Sequence, residues 1–109
     1  MIPRRGEVWW TALDPTIGSE IAKTRPCVVM TRDIVNQYRR TVVVVPLSSA
    51  PRASSPILIA VHCTGRPAVA IVDQIRAVAK QRLQSRMGVL TESEMDSIGE
   101  ALQQVLELI

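Results

Sequence analysis

The run Thr41 to Leu47, T-V-V-V-V-P-L, constrains the fold of this 109-residue chain more than any other stretch. It is too short to stand as a helix of its own, and its consecutive valines, branched at Cβ, favour extended backbone. No polar residue alternates with the valines, so the strand is expected to be buried on both faces. Such a strand belongs inside a sheet with apolar layers on either side. Phenylalanine is absent and aromatic residues make up 3% of the chain, so the core has to be aliphatic and largely β-branched, which again favours strands. A chain of this length predicts one domain, residues 1–109, with a single core.

Around that run the sequence divides into short extended segments. Gly6 to Leu13 reads as a first strand, ended by the turn-forming pair Asp14-Pro15. A polar loop, 14–24, leads into a second strand, Arg25 to Met30. Asp33 to Tyr38 suits a short helix or turn before Arg39-Arg40, and residues 48–56 read as a flexible connection. A fourth strand is predicted at Ile57 to His62, a tight turn at 63–67 and a fifth strand at Ala68 to Val78. A short helix is then expected from Lys80 to Arg86, with Gly88 supplying a left-handed cap. Thr91-Glu92-Ser93-Glu94 has the pattern of a capping box. After it Met95, Ile98, Leu102, Val105, Leu106 and Ile109 recur at helical spacing and predict one apolar face. The fold class expected is mostly β (α+β): a small, strongly bent, SH3-like barrel of about five to seven strands, with short helices and a closing C-terminal helix.

The formal net charge is +3, and of 13 basic residues only Lys23 and Lys80 are lysines. Arginine's planar fork matches phosphate better than a lysine point charge does, so a polyanionic partner is permitted, though a solvated surface accounts for the same count. The N-terminal MIPRRGEVWW has no apolar core ahead of a cleavage site, and no window approaches the roughly 20 apolar residues of a membrane span. A cytoplasmic protein with reduced Cys27 and Cys63 is the expectation.

Few catalytic classes are open to these residues. His62 is the single histidine, which excludes a two-histidine ribonuclease mechanism unless a dimer shares it. Cys27, His62 and Cys63 lack metal-ligand spacing. Ser48, His62 and Asp73 lack a nucleophile elbow, and no phosphate-binding glycine loop occurs. What remains is Arg25, with Ser48-Ser49 just past the valine run. Pro26 pushes Arg25 into extended backbone and so gives its guanidinium a defined direction. An arginine with a hydroxyl forms a minimal clamp for a phosphate oxyanion. A solvent-exposed strand arginine is the competing interpretation. Trp9 and Trp10 should face opposite sides of the first strand. Because that strand precedes the proposed site, both are expected to pack in the core or at a subunit interface.

Taken in order, R-R-G-E-V-W-W, D-P-T-I-G-S-E, T-R-P-C-V-V, T-V-V-V-V-P-L-S-S, V-D-Q-I-R and L-T-E-S-E-M span essentially the whole chain. Together they resemble the MazF/PemK toxins of bacterial toxin–antitoxin modules. The resemblance implies an SH3-like barrel, a homodimer, and a metal-independent endoribonuclease that cuts single-stranded RNA at short sequences without a cofactor. It places the catalytic arginine at Arg25 and the catalytic hydroxyl, usually threonine, at Ser48, where only the stiffening methyl is lost. Glu20, in the loop that would gate the site, is implied in RNA binding or catalysis. Gln74 matches an RNA-contacting position, and Ser19, Lys23, Ser49 and Arg76 join it as RNA-binding candidates. The connection at 64–67 is shorter than in many members, which bears on sequence preference.

The resemblance also implies a cognate antitoxin whose acidic, disordered segment folds along the basic groove, with DNA bound only through that complex. The run AVAIVDQI and the C-terminal helix offer more apolar surface than one small barrel needs, which agrees with a dimer. Two rival functions share the barrel: a gyrase poison, which works through an aromatic C-terminal tail that Leu106 to Ile109 does not supply, and a non-catalytic RNA-binding protein.

Overall fold

Seven strands join one curled sheet in the computed structural model, which describes residues 2–49 and 56–109. They are β1 Glu7–Ala12, β2 Thr24–Val29, β3 Thr41–Ser48, β4 Leu58–Cys63, β5 Arg66–Ile71, β6 Arg76–Ala79 and β7 Leu83–Val89. Two helices, α1 Asp33–Tyr38 and α2 Glu92–Val105, complete the elements, with 3-10 turns at Val72–Gln74 and Lys80–Arg82. The valine run forms β3, and the sheet is organised around it. One edge of β3 pairs with β2 (Val28 opposite Val45, Val29 opposite Val44). Its other edge is shared, with Thr41 to Val44 pairing β6 and Leu47 and Ser48 pairing β5. β1 then pairs with β2 on one side and β7 on the other.

Alternation along these strands explains why the valines need no polar partners. Val42 and Val44 of β3, Cys27 and Val29 of β2, and Trp9 of β1 share one core cluster with Val78 of β6 and Leu83 of β7. Five strands thus surround a barrel interior, and the short turn Lys80–Arg82 links the two at its ends. Val45, Leu47, Val28 and Val8 point the other way, into a second cluster with Val61 of β4, Ala70 of β5, and Met95 and Ile98 of α2. The sheet therefore divides the single core expected from the sequence into two layers, and β3 is buried on both faces as the valine run predicts. The β4–β5 hairpin and α2 roof the outer layer.

Local chemistry sets the ends of these elements. In the capping box the Thr91 hydroxyl accepts from Glu94 N at 3.1 Å, and the Glu94 carboxylate accepts from Thr91 N at 2.9 Å. Glu94 also accepts from His62 N at 2.7 Å, tying α2 to β4. Burial works against its charge, but the backbone donors of Thr91 and His62 outweigh it and hold the carboxyl below its ordinary pKa. Gly6 sits at φ +90° against Val29 O (2.8 Å), a backbone that side chains rarely adopt, and turns the chain into β1.

Four expectations are corrected. The predicted fifth strand is broken at Val72–Gln74, where the chain leaves β5 beside one half of β3 and re-enters as β6 beside the other. No α-helix forms over 80–86; after the 3-10 turn the chain enters β7, because the open edge of β1 takes Leu83, Ser85 and Arg86 as partners. Gly88 consequently lies within a strand opposite Val8 and caps nothing. The run Ala68 to Ile75 is spent within the chain, with Val69, Ala70, Ile71 and Val72 all buried. Most of the connection expected over 48–56 lies outside the described residues.

The apolar face of α2 also stops earlier than its spacing suggests. Met95, Ile98 and Ala101 are buried, but the helix ends at Val105 and leaves Leu106 and Ile109 exposed. Glu107 takes φ 53°, and Leu108 N reaches Gln103 O at 2.8 Å while Glu107 N reaches Gln104 O at 3.3 Å. That is a Schellman ending with glutamate where glycine is preferred. Glu107→Gly should therefore raise unfolding stability by about 0.5–1 kcal/mol, read by urea titration with an unchanged m-value.

Candidate active site

Arg25 and Ser48 come together because β2 and β3 are antiparallel. The ladder between them ends at Cys27 opposite Pro46, with Arg25 two residues before that end on β2 and Ser48 two residues beyond it on β3, and both line one cavity. On its other side β2 pairs Arg25 with Thr11 and Pro26 with Trp10. At this end of the sheet lies a cavity of about 290 Å³. Its apolar lining comes from Trp10, Pro26, Leu47, Pro67, Ala68 and Met87; its polar lining comes from Thr24, Arg25, Ser48, Ser49, Thr64 and Arg66, with Cys63 beside them. No carboxylate of the described residues lines it, so none of them sets a fixed negative charge against an anionic ligand.

Arg25 is half-buried, and its Nε donates to Ala22 O at 3.3 Å. Its Nη groups make no hydrogen bond to any described residue, and no carboxylate of the described residues pairs with it. One bond through Nε orients the guanidinium and leaves the Nη groups for a ligand. A guanidinium with hydroxyls around a pocket free of carboxylates is chemically a receptor for a phosphate or another oxyanion.

The loop between β1 and β2 is held at its base. Leu13 N donates to Lys23 O and Lys23 N to Asp14 Oδ1, each at 2.9 Å. Arg82 donates to Ala12 O at 3.1 Å and to Asp14 O, Arg76 donates to Leu13 O at 3.3 Å, and Ile21 N donates to Gln74 Oε1 at 3.3 Å. Toward the tip Ile17 is 82% exposed, and the Glu20 carboxylate accepts from Ile17 N at 2.7 Å. Of the residues expected in the site, the structure thus gathers Arg25, Ser48 and Ser49 on the cavity. Ser19, Glu20, Lys23, Gln74 and Arg76 do not line it; Gln74 and Arg76 hold the loop's base, while Ser19, Glu20 and Lys23 are exposed on the loop. Cys27 lies in the barrel interior, the His62 Nδ1 sits 3.9 Å from Glu94, and among the described residues no three His, Cys, Asp or Glu side chains converge.

A family model described as the PemK-like, MazF-like toxins of type II toxin–antitoxin systems matches residues 4–106. The chain belongs to that family. It is 34% identical to the endoribonuclease EndoA of Bacillus subtilis over 114 aligned positions, covering 100% of this chain and 98% of that protein. Among solved structures, an endoribonuclease in complex with its cognate antitoxin, from a mycobacterial species, superposes with a TM-score of 0.82 at 25% identity, over 98% of this chain and 97% of the other. MazF from Deinococcus radiodurans superposes with a TM-score of 0.88 at 18% identity, over 98% of each chain, and so supports the fold.

Among the lining residues that go beyond the sequence expectations, Trp10, Thr24, Thr64 and Arg66 offer an aromatic ring, hydroxyls or a guanidinium to a ligand. The first strand does line the site, since β1 and β2 are paired and Trp10 lies opposite Pro26. Only Trp9 follows the core expectation; it is buried in the barrel with its Nε1 donating to Glu7 at 3.2 Å, while Trp10 is 38% exposed. The signal for Arg66 was available in the sequence, because Arg66-Pro67 repeats the dipeptide Arg25-Pro26.

Neither thiol is poised as a nucleophile. Burial pushes Cys27 up to about 12, only partly offset by a hydrogen bond with Thr11 and the charge of Arg76. Burial also raises Cys63, against a smaller contribution from Thr64. A thiol near 12 is about one part in ten thousand thiolate at pH 8. Iodoacetamide at pH 8 should therefore label Cys27 only after denaturation; rapid labelling of Cys27 in the folded protein, read by mass spectrometry, would contradict this.

Proposed function

We propose that this protein is a sequence-specific, metal-independent endoribonuclease that cleaves single-stranded RNA, mRNA above all, and so arrests growth. The observation that carries this reading is the convergence of Arg25, Ser48 and Ser49 on one cavity that no carboxylate of the described residues lines, in a chain of the MazF-like toxin family. RNA brings its own nucleophile, so the protein has only to align the 2′-hydroxyl and stabilise charge. The 2′-oxygen attacks phosphorus and forms the P–O2′ bond, its proton passing to a base. The P–O5′ bond breaks, and the leaving 5′-oxygen takes a proton from water while the base returns the 2′ proton to solvent. The products are a 2′,3′-cyclic phosphate and a 5′-hydroxyl.

Arg25 clamps the non-bridging oxygens through its Nη groups and assists the departing 5′-oxygen, and Ser48 donates a second hydrogen bond. Arginine stays protonated at any pH a protein tolerates, so it is not the base. Glu20 is the candidate base. To take the 2′ proton it must swing over the cavity with its loop and give up its bond from Ile17 N. Ser19 and Lys23 would then meet the RNA from the same loop, with Gln74 and Arg76 below it and Ser49 beside Ser48. No metal or cofactor takes part in this scheme.

Partners follow from the same chemistry. A cognate antitoxin with an acidic, disordered segment covers the cavity and neutralises its arginines, and DNA is met only through that complex. A homodimer buries the apolar side chains of Leu106, Leu108 and Ile109, which stand exposed beyond α2. Among the described residues no helix is long and apolar enough to cross a membrane, and the proposed site of action is the cytoplasm.

The test is cleavage of single-stranded RNA by purified protein in excess EDTA. Cleavage should persist, leave 5′-hydroxyl ends, and fall by about a hundredfold or more in Arg25→Ala. Abolition by EDTA would overturn the metal-independent scheme, and an unchanged rate in Arg25→Ala would overturn the clamp.

A further inference from the structure

The cavity carries a second arginine presented in the same manner as the first. Arg66 opens β5, as Arg25 stands near the start of β2, and each is followed by proline. Proline restricts the preceding residue to extended backbone, so both side chains leave rigid stems. The stem of Arg66 is stiffened further by its hairpin. Cys63 pairs with Arg66 across a two-residue turn in which Thr64 (φ 52°) and Gly65 (φ 77°) both take positive φ, as a type I′ turn requires. The Thr64 hydroxyl is held at 2.6 Å on Cys63 O. A turn of this kind allows little play, so Arg66 projects from the hairpin tip in a fixed relation to the cavity that both arginines line.

The position has no evident structural use. Arg66 is exposed, and its side chain makes no hydrogen bond or ion pair to any described residue. Other arginines here do have such work: Arg82 and Arg76 hold the β1–β2 loop, and Arg86 pairs with Glu7 at 2.7 Å. Two guanidinium groups on one small cavity, neither paired with a carboxylate of the described residues, would repel each other, and a ligand with two negative centres relieves that repulsion. Each nucleoside in an RNA strand is flanked by two phosphates. Trp10, half in the cavity wall, offers an apolar surface for what lies between them.

We infer that Arg66 binds the phosphodiester next to the one Arg25 clamps, so that the hairpin tip and β2 grip consecutive phosphates of a single RNA strand. The inference rests on the ribonuclease reading and adds a second phosphate subsite to it. Arg66 touches a non-reacting phosphate, so it contributes to binding and register rather than to bond cleavage. Its loss should fall on KM more than on kcat.

The experiment is equilibrium binding of a random-sequence single-stranded RNA, 2′-O-methylated throughout so that it cannot be cut, measured by fluorescence anisotropy at a series of salt concentrations. Arg66→Ala should bind about tenfold more weakly than wild type, with its log Kd against log salt slope lowered by about 0.7, the value for one lost phosphate contact on a single strand. Arg66→Lys keeps the charge but not the fork, and should fall between the two. Arg39→Ala, an exposed arginine outside the cavity, controls for net charge and should move neither affinity nor slope comparably. Wild-type affinity and slope in Arg66→Ala would overturn the inference and leave the ribonuclease reading standing. Failure of the wild type to bind the RNA at all would overturn both. A fall in affinity without a change in slope would also count against a phosphate contact.

Discussion

The double-sided burial of β3 is the constraint on which the rest of the molecule depends. Val42 and Val44 fill the barrel interior while Val45 and Leu47 face α2 and the β4–β5 hairpin, so neither layer can form without the other's strand in register. A one-residue slip would exchange the two sets of side chains. That register also brings Arg25 and Ser48 to the same end of the sheet, each two residues past the pairing of Cys27 with Pro46. Packing that holds the core therefore also sets the geometry of the site. The cavity opens where the β2–β3 ladder stops, and Pro26 has no N–H with which to extend it.

The arginines divide by what they find nearby. Arg82, Arg76 and Arg86 reach backbone carbonyls or a carboxylate and act as struts. Arg25 and Arg66 line the cavity, and their Nη groups make no hydrogen bond to any described residue. The difference is topological, because the strut residues face the β1 side of the barrel and the cavity pair stands at strand beginnings followed by proline. A basic composition is thereby put to two uses, one mechanical and one for anion binding. The β1–β2 loop sits between them, tied at its base to the struts and bearing Glu20 toward its exposed tip.

Much of this was legible in the residues themselves. The valine run, the capping box at Thr91 and the turn at Thr64-Gly65 are local signals, and each appears where the sequence places it. What escaped was decided by distant partners. Lys80 to Arg86 carries helix-compatible residues, yet the open edge of β1 makes it a strand after one 3-10 turn. The break at Val72 arises because β3 is shared between two neighbours, a fact no local pattern encodes. In the site, Arg25 and Ser48 were legible through their motifs. Trp10 was not, because its place in the cavity depends on which strand pairs with β2. Arg66 could have been found from the repeated Arg-Pro dipeptide, but nothing short of the hairpin's position shows that both pairs meet one cavity.

The central claim is that Arg25 and Ser48 act together on one phosphate. A double-mutant cycle on single-turnover RNA cleavage, comparing wild type, Arg25→Lys, Ser48→Ala and the double variant, tests it most directly. Groups that clamp the same oxyanion should be coupled, so the double variant should lose much less activity than the product of the two single losses, with an interaction of about 1 kcal/mol or more. Independent, multiplicative losses would contradict the account.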